Sequence, residues 1–226
     1  FVARQRGYQV KVVIPEGAVP TIVDTLSLLG VEVVRCPSEG GMRRAIEVAK
    51  ELSEQLGAVE LGQFSNLANV EAHDATGCEI LGQIERVDAF VAGIGTGGTV
   101  TGVGRRLRQS FPNAQIIGVE PVLGEGLQGL RSLDEGYVPP LLDFDLLTSR
   151  FAVSSRDAIA CARSVAEREG LLVGVSSGAT LSVALRVAAR LGSGNIVAIF
   201  ADGGWKYLPA QPWNSDSSDI ERLDEV

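Results

Sequence analysis

Histidine and cysteine are scarce in this sequence, and their scarcity excludes several kinds of site. The single histidine, His73, cannot build a multi-histidine zinc site, and there is no second imidazole for a histidine-based triad. The three cysteines are odd in number and scattered, so they predict neither a disulfide framework nor a CxxC metal site; they are Cys36, Cys78 and Cys161. A reducing cytoplasm is the compartment that this usage predicts.

Long hydrophobic runs and basic clusters are also missing. No apolar stretch reaches the length of a membrane span, so we expect no membrane partner. The formal net charge of −8 would repel phosphates, so we expect no nucleic-acid partner. The 226 residues, 45% of them hydrophobic, are enough for one large α/β domain or one and a half smaller ones.

Short β-branched runs alternate with segments of helical spacing along the chain. Strands are predicted over residues 10–14, 31–34, 87–92, 115–119 and 196–200. Helices are predicted over residues 21–29, 39–56, 66–85, 99–110, 157–169 and 176–191, and residues 121–148 have the composition of a loop. This alternation predicts an α/β fold with mostly parallel sheets and helices on both faces.

A glycine-rich turn, Gly93-Ile94-Gly95-Thr96-Gly97-Gly98-Thr99, follows a predicted strand and opens a helix. Glycines let the backbone approach an anion, and the amides of a helix N-terminus point at it, so a phosphate is the natural occupant. The phosphate could belong to pyridoxal phosphate (PLP). It could instead belong to a dinucleotide, since Gly93-x-Gly95-x-x-Gly98 is formally a GxGxxG motif and Glu120 ends the next strand. The glycines could also serve packing alone.

A second motif, Gly174-Val175-Ser176-Ser177-Gly178, lies between an apolar run and a helix. One interpretation is a serine that caps the helix. The other is a serine hydroxyl placed against the ring nitrogen of a cofactor.

Four segments together resemble one family. They are Gln63-Phe64-Ser65-Asn66 with Ala68-Asn69 just after it, Gly95–Thr99, Gly174–Gly178 and Asp202-Gly203-Gly204-Trp205-Lys206-Tyr207-Leu208. In order and approximate spacing they are similar to the fold type II PLP enzymes, specifically the cysteine synthases, over essentially the whole chain. The resemblance implies a smaller N-terminal α/β domain over residues 1–58, a larger PLP-binding domain over 59–208, a polar tail over 209–226 and a homodimer.

The resemblance also implies roles for individual residues. Gly95, Thr96, Gly97, Gly98 and Thr99 would hold the phosphate of PLP, and Ser176 would hydrogen-bond its pyridine nitrogen. Gln63 would lie near the carboxylate of the amino-acid substrate; without the resemblance it could be an ordinary polar residue at the end of a strand.

Residues 120–139 and the segment Asp202–Leu208 resemble the B-type cysteine synthases, which accept O-phosphoserine. In these enzymes an arginine of this loop binds the substrate phosphate, and Arg131 occupies the matching position. A guanidinium suits this role because it binds phosphate through two parallel hydrogen bonds. Alternatively, Arg131 could be a surface arginine or form a structural ion pair with a nearby acid, the candidates being Glu125, Asp134 and Glu135.

Two departures from the family pattern stand out. Leu67 takes the place of a proline, which would remove a rigid turn. None of the three lysines, Lys11, Lys50 and Lys206, matches the family's Schiff-base lysine, so no catalytic residue is assigned. The chain opens like the last turn of a helix that ends at Gly7, and we expect a truncated N-terminus, with that lysine and a substrate-binding loop upstream of Phe1.

The resemblance implies the synthesis of L-cysteine by β-replacement on an activated serine, O-phosphoserine or O-acetylserine, through an aminoacrylate. The sulfur donor could be sulfide, thiosulfate or a thiocarboxylated carrier protein. A cystathionine β-synthase or a serine dehydratase is an alternative within the same class. A noncatalytic, PLP-deficient fragment and a dinucleotide-dependent enzyme are alternatives from other classes.

Overall fold

The computed structural model describes residues 1–210, which form two compact units: Phe1–Leu61 together with Lys206–Ala210, and Gly62–Trp205. The predicted polar tail, residues 209–226, lies from residue 211 onward outside the described residues. No helix within residues 1–210 has the length and apolar character needed to cross a membrane.

The first unit consists of a parallel pair of strands and three helices. The strands are β1 (Lys11–Pro15) and β2 (Glu32–Cys36), and the helices are α1 (Val2–Gln5), α2 (Pro20–Leu28) and α3 (Gly41–Leu56). The pairing sets Val12 opposite Val33. Few apolar side chains of residues 1–61 are buried, namely Ile14, Val19, Val31, Cys36 and Ala45.

The second unit is built around a four-stranded sheet of order β5-β4-β3-β6, in which every pair is parallel. The strands are β3 (Ala89–Gly93), β4 (Gln115–Pro121), β5 (Ser149–Val153) and β6 (Ile196–Ala198). The helices are α4 (Ala68–Leu81), α5 (Gly98–Ser110), α6 (Ser155–Glu169) and α7 (Val175–Leu191), with short 3₁₀ helices at Leu133–Glu135 and Phe144–Leu146. The predicted α/β class and the parallel pairing are confirmed.

Strand β3 lies inside this sheet and is buried on both faces. Phe90 and Ala92 are fully buried and share a core cluster with Val100, Val103 and Leu107 of α5. Alternation along the strand sends Ala89 and Val91 to the other face, where α7 packs. The unbroken apolar run that predicted this strand is typical of a parallel strand covered on both sides.

Strand β5 was not predicted from the sequence. It pairs only with β4 and therefore forms an edge of the sheet, with Arg150 and Ala152 exposed. Its five residues follow a long irregular segment, so neither length nor a continuous apolar run distinguishes it from a loop. Strand β6 is also shorter than predicted, ending at Ala198.

Candidate functional site

The glycine-rich turn connects β3 to α5 inside the second unit. Gly97 adopts a left-handed conformation, φ 83°, and is the N-cap of α5. A side chain is strained in that conformation, which explains glycine at this position. The hydroxyl oxygen of Thr96 accepts a hydrogen bond from the amide of Gly98 at 3.3 Å, which closes the turn onto the first residue of the helix.

Backbone amides of this turn are available to an anion. Among the hydrogen bonds within residues 1–210, none uses the amides of Gly95, Thr96, Gly97, Thr99 or Val100. Five free donors at the N-terminus of a 13-residue helix provide both hydrogen bonds and the positive end of the helix dipole. The turn therefore has the chemistry of a phosphate-binding cup.

The loop that carries Arg131 contacts both the glycine turn and the start of α7. A Cβ at Gly95 would lie 2.5 Å from the carbonyl oxygen of Gly129, so glycine is required for this close approach. A Cβ at Gly129 would lie 3.8 Å from the Ser176 hydroxyl oxygen. The amide of Arg131 donates to the carbonyl of Ile94 at 2.9 Å. The structure thus brings two motifs some eighty residues apart in sequence to the same loop.

Ser176 does not cap its helix. Helix α7 begins at Val175, and Gly174 is the N-cap, with no side-chain capping bond. Ser176 is buried, and within residues 1–210 its hydroxyl makes no hydrogen bond. The hydroxyl lies beside the loop at Gly129 and is available for a hydrogen bond to a bound group. The helix-capping interpretation of Ser176 was therefore wrong.

Gln63 is exposed and is tied to the glycine turn through its backbone. Its carbonyl oxygen accepts from the side-chain amide of Asn69 at 2.8 Å, and the same amide donates to the Thr96 hydroxyl at 3.0 Å. The Gln63 backbone thus lies next to the turn, and within residues 1–210 its side chain has no hydrogen-bond partner. Its role in substrate binding stays a prediction.

The replacement of proline by Leu67 leaves the local turn intact. Leu67 is the N-cap of α4 and has φ −58°, close to the value that a proline ring would impose. The side-chain oxygen of Asn66 accepts from the amide of Ala68 at 3.0 Å, and its carbonyl accepts from the amide of Asn69 at 3.0 Å. These hydrogen bonds form the turn without a proline, and whether it is less rigid stays a prediction.

Arg131 lies between two aromatic rings. Its guanidinium carbon is 5.6 Å from the centroid of Phe64 and 5.3 Å from that of Tyr137, and the two rings meet edge to face. In the part of the chain that the structure describes, Arg131 has no ion-pair partner.

None of the three nearby acids that could have held Arg131 pairs with it within residues 1–210. Asp134 pairs with Arg150 at 2.9 Å, and Glu125 accepts from the amide of Ser155 at 2.6 Å. No ion pair or hydrogen bond links Glu135 to Arg131 within residues 1–210. The alternative of a structural ion pair for Arg131 was therefore wrong.

Glu120, the acid that a dinucleotide site would require, is committed elsewhere. Its carboxylate is buried, accepts from the amide of Leu133 at 2.8 Å and pairs with Arg150 at 2.8 Å. Both of its oxygens are therefore used to fix the loop just after Arg131. This geometry disfavours the dinucleotide alternative, since the ribose would have no carboxylate.

His73 is a residue of this site that the sequence did not reveal. Its Nε2 is 3.0 Å from the hydroxyl oxygen of Thr99, and burial lowers the pKa of the imidazole. Asn69, His73 and Thr76 share one face of α4 at spacings of four and three residues. Such a polar stripe on a helix that follows a family motif is the signal that could have indicated them.

Comparison with known proteins identifies relatives of the whole chain. Residues 1–202 match the family described as pyridoxal-phosphate dependent enzyme. A cysteine synthase of Staphylococcus aureus is 38% identical over 227 residues, covering 96% of this chain and 73% of its own length. A probable cysteine synthase of Bacillus subtilis is also 38% identical, with 94% and 73% covered.

Solved structures agree. O-ureido-L-serine synthase superposes with a TM-score of 0.88 at 31% identity, covering 96% of this chain and 72% of that one. Cysteine synthase from Entamoeba histolytica superposes with a TM-score of 0.85 at 26% identity, covering 98% and 70%. The family match, the relatives and the shared fold agree with the phosphate-binding turn. The chain belongs to the pyridoxal-phosphate dependent enzymes of the cysteine synthase family.

Proposed function

We propose that the protein makes L-cysteine by PLP-dependent β-replacement and that its activated serine is O-phosphoserine rather than O-acetylserine. The observation that carries the choice of substrate is Arg131, a guanidinium without an ion-pair partner among residues 1–210. Its backbone is anchored to Ile94, the residue before the phosphate-binding turn begins at Gly95. The Arg131 guanidinium, held beside the glycine turn without an ion-pair partner among residues 1–210, is suited to bind an anionic substituent of the substrate.

The residues present fit PLP. The free amides of Gly95, Thr96, Gly97 and Thr99 would hold its phosphate together with Gly98, and the unpartnered Ser176 hydroxyl would meet its ring nitrogen. When bound, PLP supplies an electron sink for breaking bonds at the substrate's α and β carbons. A neutral hydroxyl at Ser176, unlike a carboxylate, would leave the ring nitrogen largely unprotonated, which suits elimination and replacement at the β carbon.

Charge explains why Arg131 would discriminate between the two esters. A phosphate ester carries a charge of about −1.5 to −2 near neutral pH, whereas an acetyl ester carries none at that position. The planar guanidinium can donate two parallel hydrogen bonds to phosphate. Phe64 and Tyr137 flank the guanidinium and restrict its motion, which lowers the entropy lost on binding.

The test is made in the full-length enzyme and compares kcat/KM for O-phosphoserine and O-acetylserine in Arg131→Ala, Arg131→Lys and the parent. Arg131→Ala is expected to lower kcat/KM for O-phosphoserine by at least about tenfold, or about 1.4 kcal/mol, and to change that for O-acetylserine far less. Arg131→Lys keeps the positive charge but cannot donate two parallel hydrogen bonds, so its kcat/KM for O-phosphoserine should lie between those of Arg131→Ala and the parent. Arg156→Ala, an exposed arginine on α6, is the control and should resemble the parent.

Two outcomes would contradict the proposal. Equal losses on both esters in Arg131→Ala would mean that Arg131 supports its loop without contacting the substrate. A parent enzyme that prefers O-acetylserine would reject the phosphoserine assignment. Turnover of unactivated serine with homocysteine, or its deamination, would favour the alternatives of cystathionine β-synthase or serine dehydratase.

The second substrate is tested separately. Sulfide, thiosulfate and a thiocarboxylated carrier protein remain the candidate sulfur donors. Comparing their turnover with a fixed serine ester separates them. The likeness to O-ureido-L-serine synthase makes the reaction that forms O-ureido-L-serine a useful further assay. A homodimer and a cytoplasmic location stay predictions, checked by sedimentation and by fractionation.

A further inference from the structure

His73 bridges two threonine hydroxyls at the contact between α4 and α5. Its Nε2 is 3.0 Å from Thr99 Oγ1, and its Nδ1 is 3.3 Å from Thr76 Oγ1. Thr99 is a residue of the phosphate-binding turn, and its amide has no partner among residues 1–210. The imidazole therefore contacts the rim of the cup without belonging to the turn.

The position of the imidazole is fixed by close helix packing. Gly102 lies one turn after Thr99 on the same face of α5. A Cβ at Gly102 would lie 2.7 Å from the Cβ of His73 and would also collide with the carbonyl of Val70. The backbone of α4 is thus pressed against α5, and the His73 ring has little freedom to leave Thr99.

The tautomer of His73 determines whether the Thr99 hydroxyl donates or accepts the hydrogen bond between them. Burial lowers the pKa of His73, which favours a neutral ring with one N–H donor and one acceptor nitrogen. If Nε2 carries the proton, it donates to the Thr99 oxygen, and the Thr99 hydroxyl proton remains free for a third group. If Nδ1 carries the proton, Thr99 must give its own proton to the ring.

We propose that His73 is a positioning residue for the cofactor phosphate: its Nε2–H donates to Thr99 Oγ1 and so directs the Thr99 hydroxyl proton to a phosphate oxygen in the glycine turn. Phosphate oxygens that only accept hydrogen bonds select this tautomer. The hydroxyl of Thr76 completes the chain by donating to Nδ1. The arrangement concerns the cofactor and is independent of which serine ester the enzyme uses.

Three substitutions at His73 separate its two nitrogens. The amide of His73→Gln reaches the position of Nε2 and can still donate to Thr99. The amide of His73→Asn reaches only the position of Nδ1 and can contact Thr76. His73→Leu contacts neither hydroxyl by hydrogen bonding. Dissociation constants are measured by fluorescence titration of each cofactor-free enzyme with PLP and with pyridoxal, which lacks the phosphate.

We expect His73→Asn and His73→Leu to bind PLP about two- to tenfold more weakly, the range that one net hydrogen bond covers. His73→Gln should bind PLP as the parent does. None of the three should change the affinity for pyridoxal. Equal losses for PLP and pyridoxal, or retention of affinity by Asn but not by Gln, would overturn the proposal.

A double substitution tests whether the effect passes through Thr99. Thr99→Val removes the hydroxyl, so adding His73→Asn to it should weaken PLP binding no further. Additive losses would show that His73 acts without Thr99 and would overturn the proposal. The rise in Tm caused by inorganic phosphate gives a second measurement that needs no cofactor. It should be smaller in His73→Asn than in His73→Gln.

Discussion

The glycine turn and the Arg131 loop approach each other closely at Gly95 and Gly129, and adding a methyl group at Gly95 tests whether the site requires this approach. Gly95→Ala would place a Cβ 2.5 Å from the Gly129 carbonyl oxygen, so the turn or the loop must move. We expect weaker PLP binding by about tenfold or more, because a displaced turn no longer aims its amides at one phosphate. Gly124→Ala is the matched control, measured in the same titration.

The control separates local crowding from backbone strain. Gly124 has φ 83° and no atom within 4 Å of an added Cβ, so alanine there costs stability, about 1 kcal/mol, without touching the site. Weaker cofactor binding in both variants would mean that general destabilisation, and not the contact at Gly95, was being measured.

Two neighbouring serines of α7 allow a similar contrast. Both Ser176 and Ser177 are buried, and neither hydroxyl has a partner within residues 1–210. Ser176→Ala should lower kcat by roughly two- to tenfold, since a hydrogen bond between neutral groups is worth about 0.5–1.5 kcal/mol, while Tm stays near that of the parent. Ser177→Ala should leave kcat unchanged and not lower Tm. Equal rates in both variants would exclude a cofactor contact for Ser176.

At the scale of whole elements, the contact between α4 and α5 positions Asn69 and His73 beside the turn. Gly102→Ala would collide with the Val70 carbonyl, so the two helices must separate. We expect a loss of about 1–3 kcal/mol in unfolding free energy, together with weaker PLP binding. Urea unfolding and cofactor titration measure the two effects.

Gly82→Ala is the control for Gly102→Ala because Gly82 ends α4, the helix that packs against Gly102, at a place where an added Cβ is not crowded. Gly82 has φ −73°, and the nearest atom to an added Cβ is at 3.5 Å. Alanine should be neutral there or stabilise by up to about 1 kcal/mol. A loss equal to that of Gly102→Ala would show that the α4–α5 contact tolerates a methyl group after all.

Helices and strands could be predicted where the local sequence pattern determines them. They could not be predicted where contacts with distant parts of the chain determine them. The apolar run of β3 predicted a buried strand, and the glycines before α5 predicted the turn that precedes this helix. Strand β5 was not predicted because only its pairing with β4 in the folded chain distinguishes it from a loop. The roles of His73 and Asn69 were not predicted because they depend on hydrogen bonds to Thr99 and Thr96. These threonines lie near them only in the folded chain.

At the scale of the whole molecule, the two compact units differ in how much apolar surface they bury. The first has a two-stranded sheet, and several of its large apolar side chains are exposed, among them Phe1, Tyr8, Leu28 and Val59. Two strands with few buried contacts are marginal on their own. We expect the amides of β1 and β2 to exchange with deuterium faster than those of β3 and β4. Equal protection would contradict this ranking.

Stability of the second unit should fall in acid through Asp88, which links the starts of β3 and β6. Its carboxylate accepts from the amide of Asn195 at 2.9 Å and from Arg86 at 2.8 Å, and these bonds lower its pKa. A carboxylate with a depressed folded pKa contributes stability above its unfolded pKa, about 4, and loses it as the pH falls through the folded value.

We expect the urea midpoint of the parent to decrease as the pH is lowered from about 6 to 3. The urea midpoint of Asp88→Asn should decrease less over this interval. The amide can still accept from Asn195 but carries no charge that protonation could remove. Asp24→Asn, an exposed residue of α2, is the control and should keep the full dependence. If Asp88→Asn follows the parent curve, the carboxylates that control acid unfolding lie elsewhere. Asp74, whose pKa is lowered by its hydrogen bonds to Arg106 between α4 and α5, would then be the next to replace.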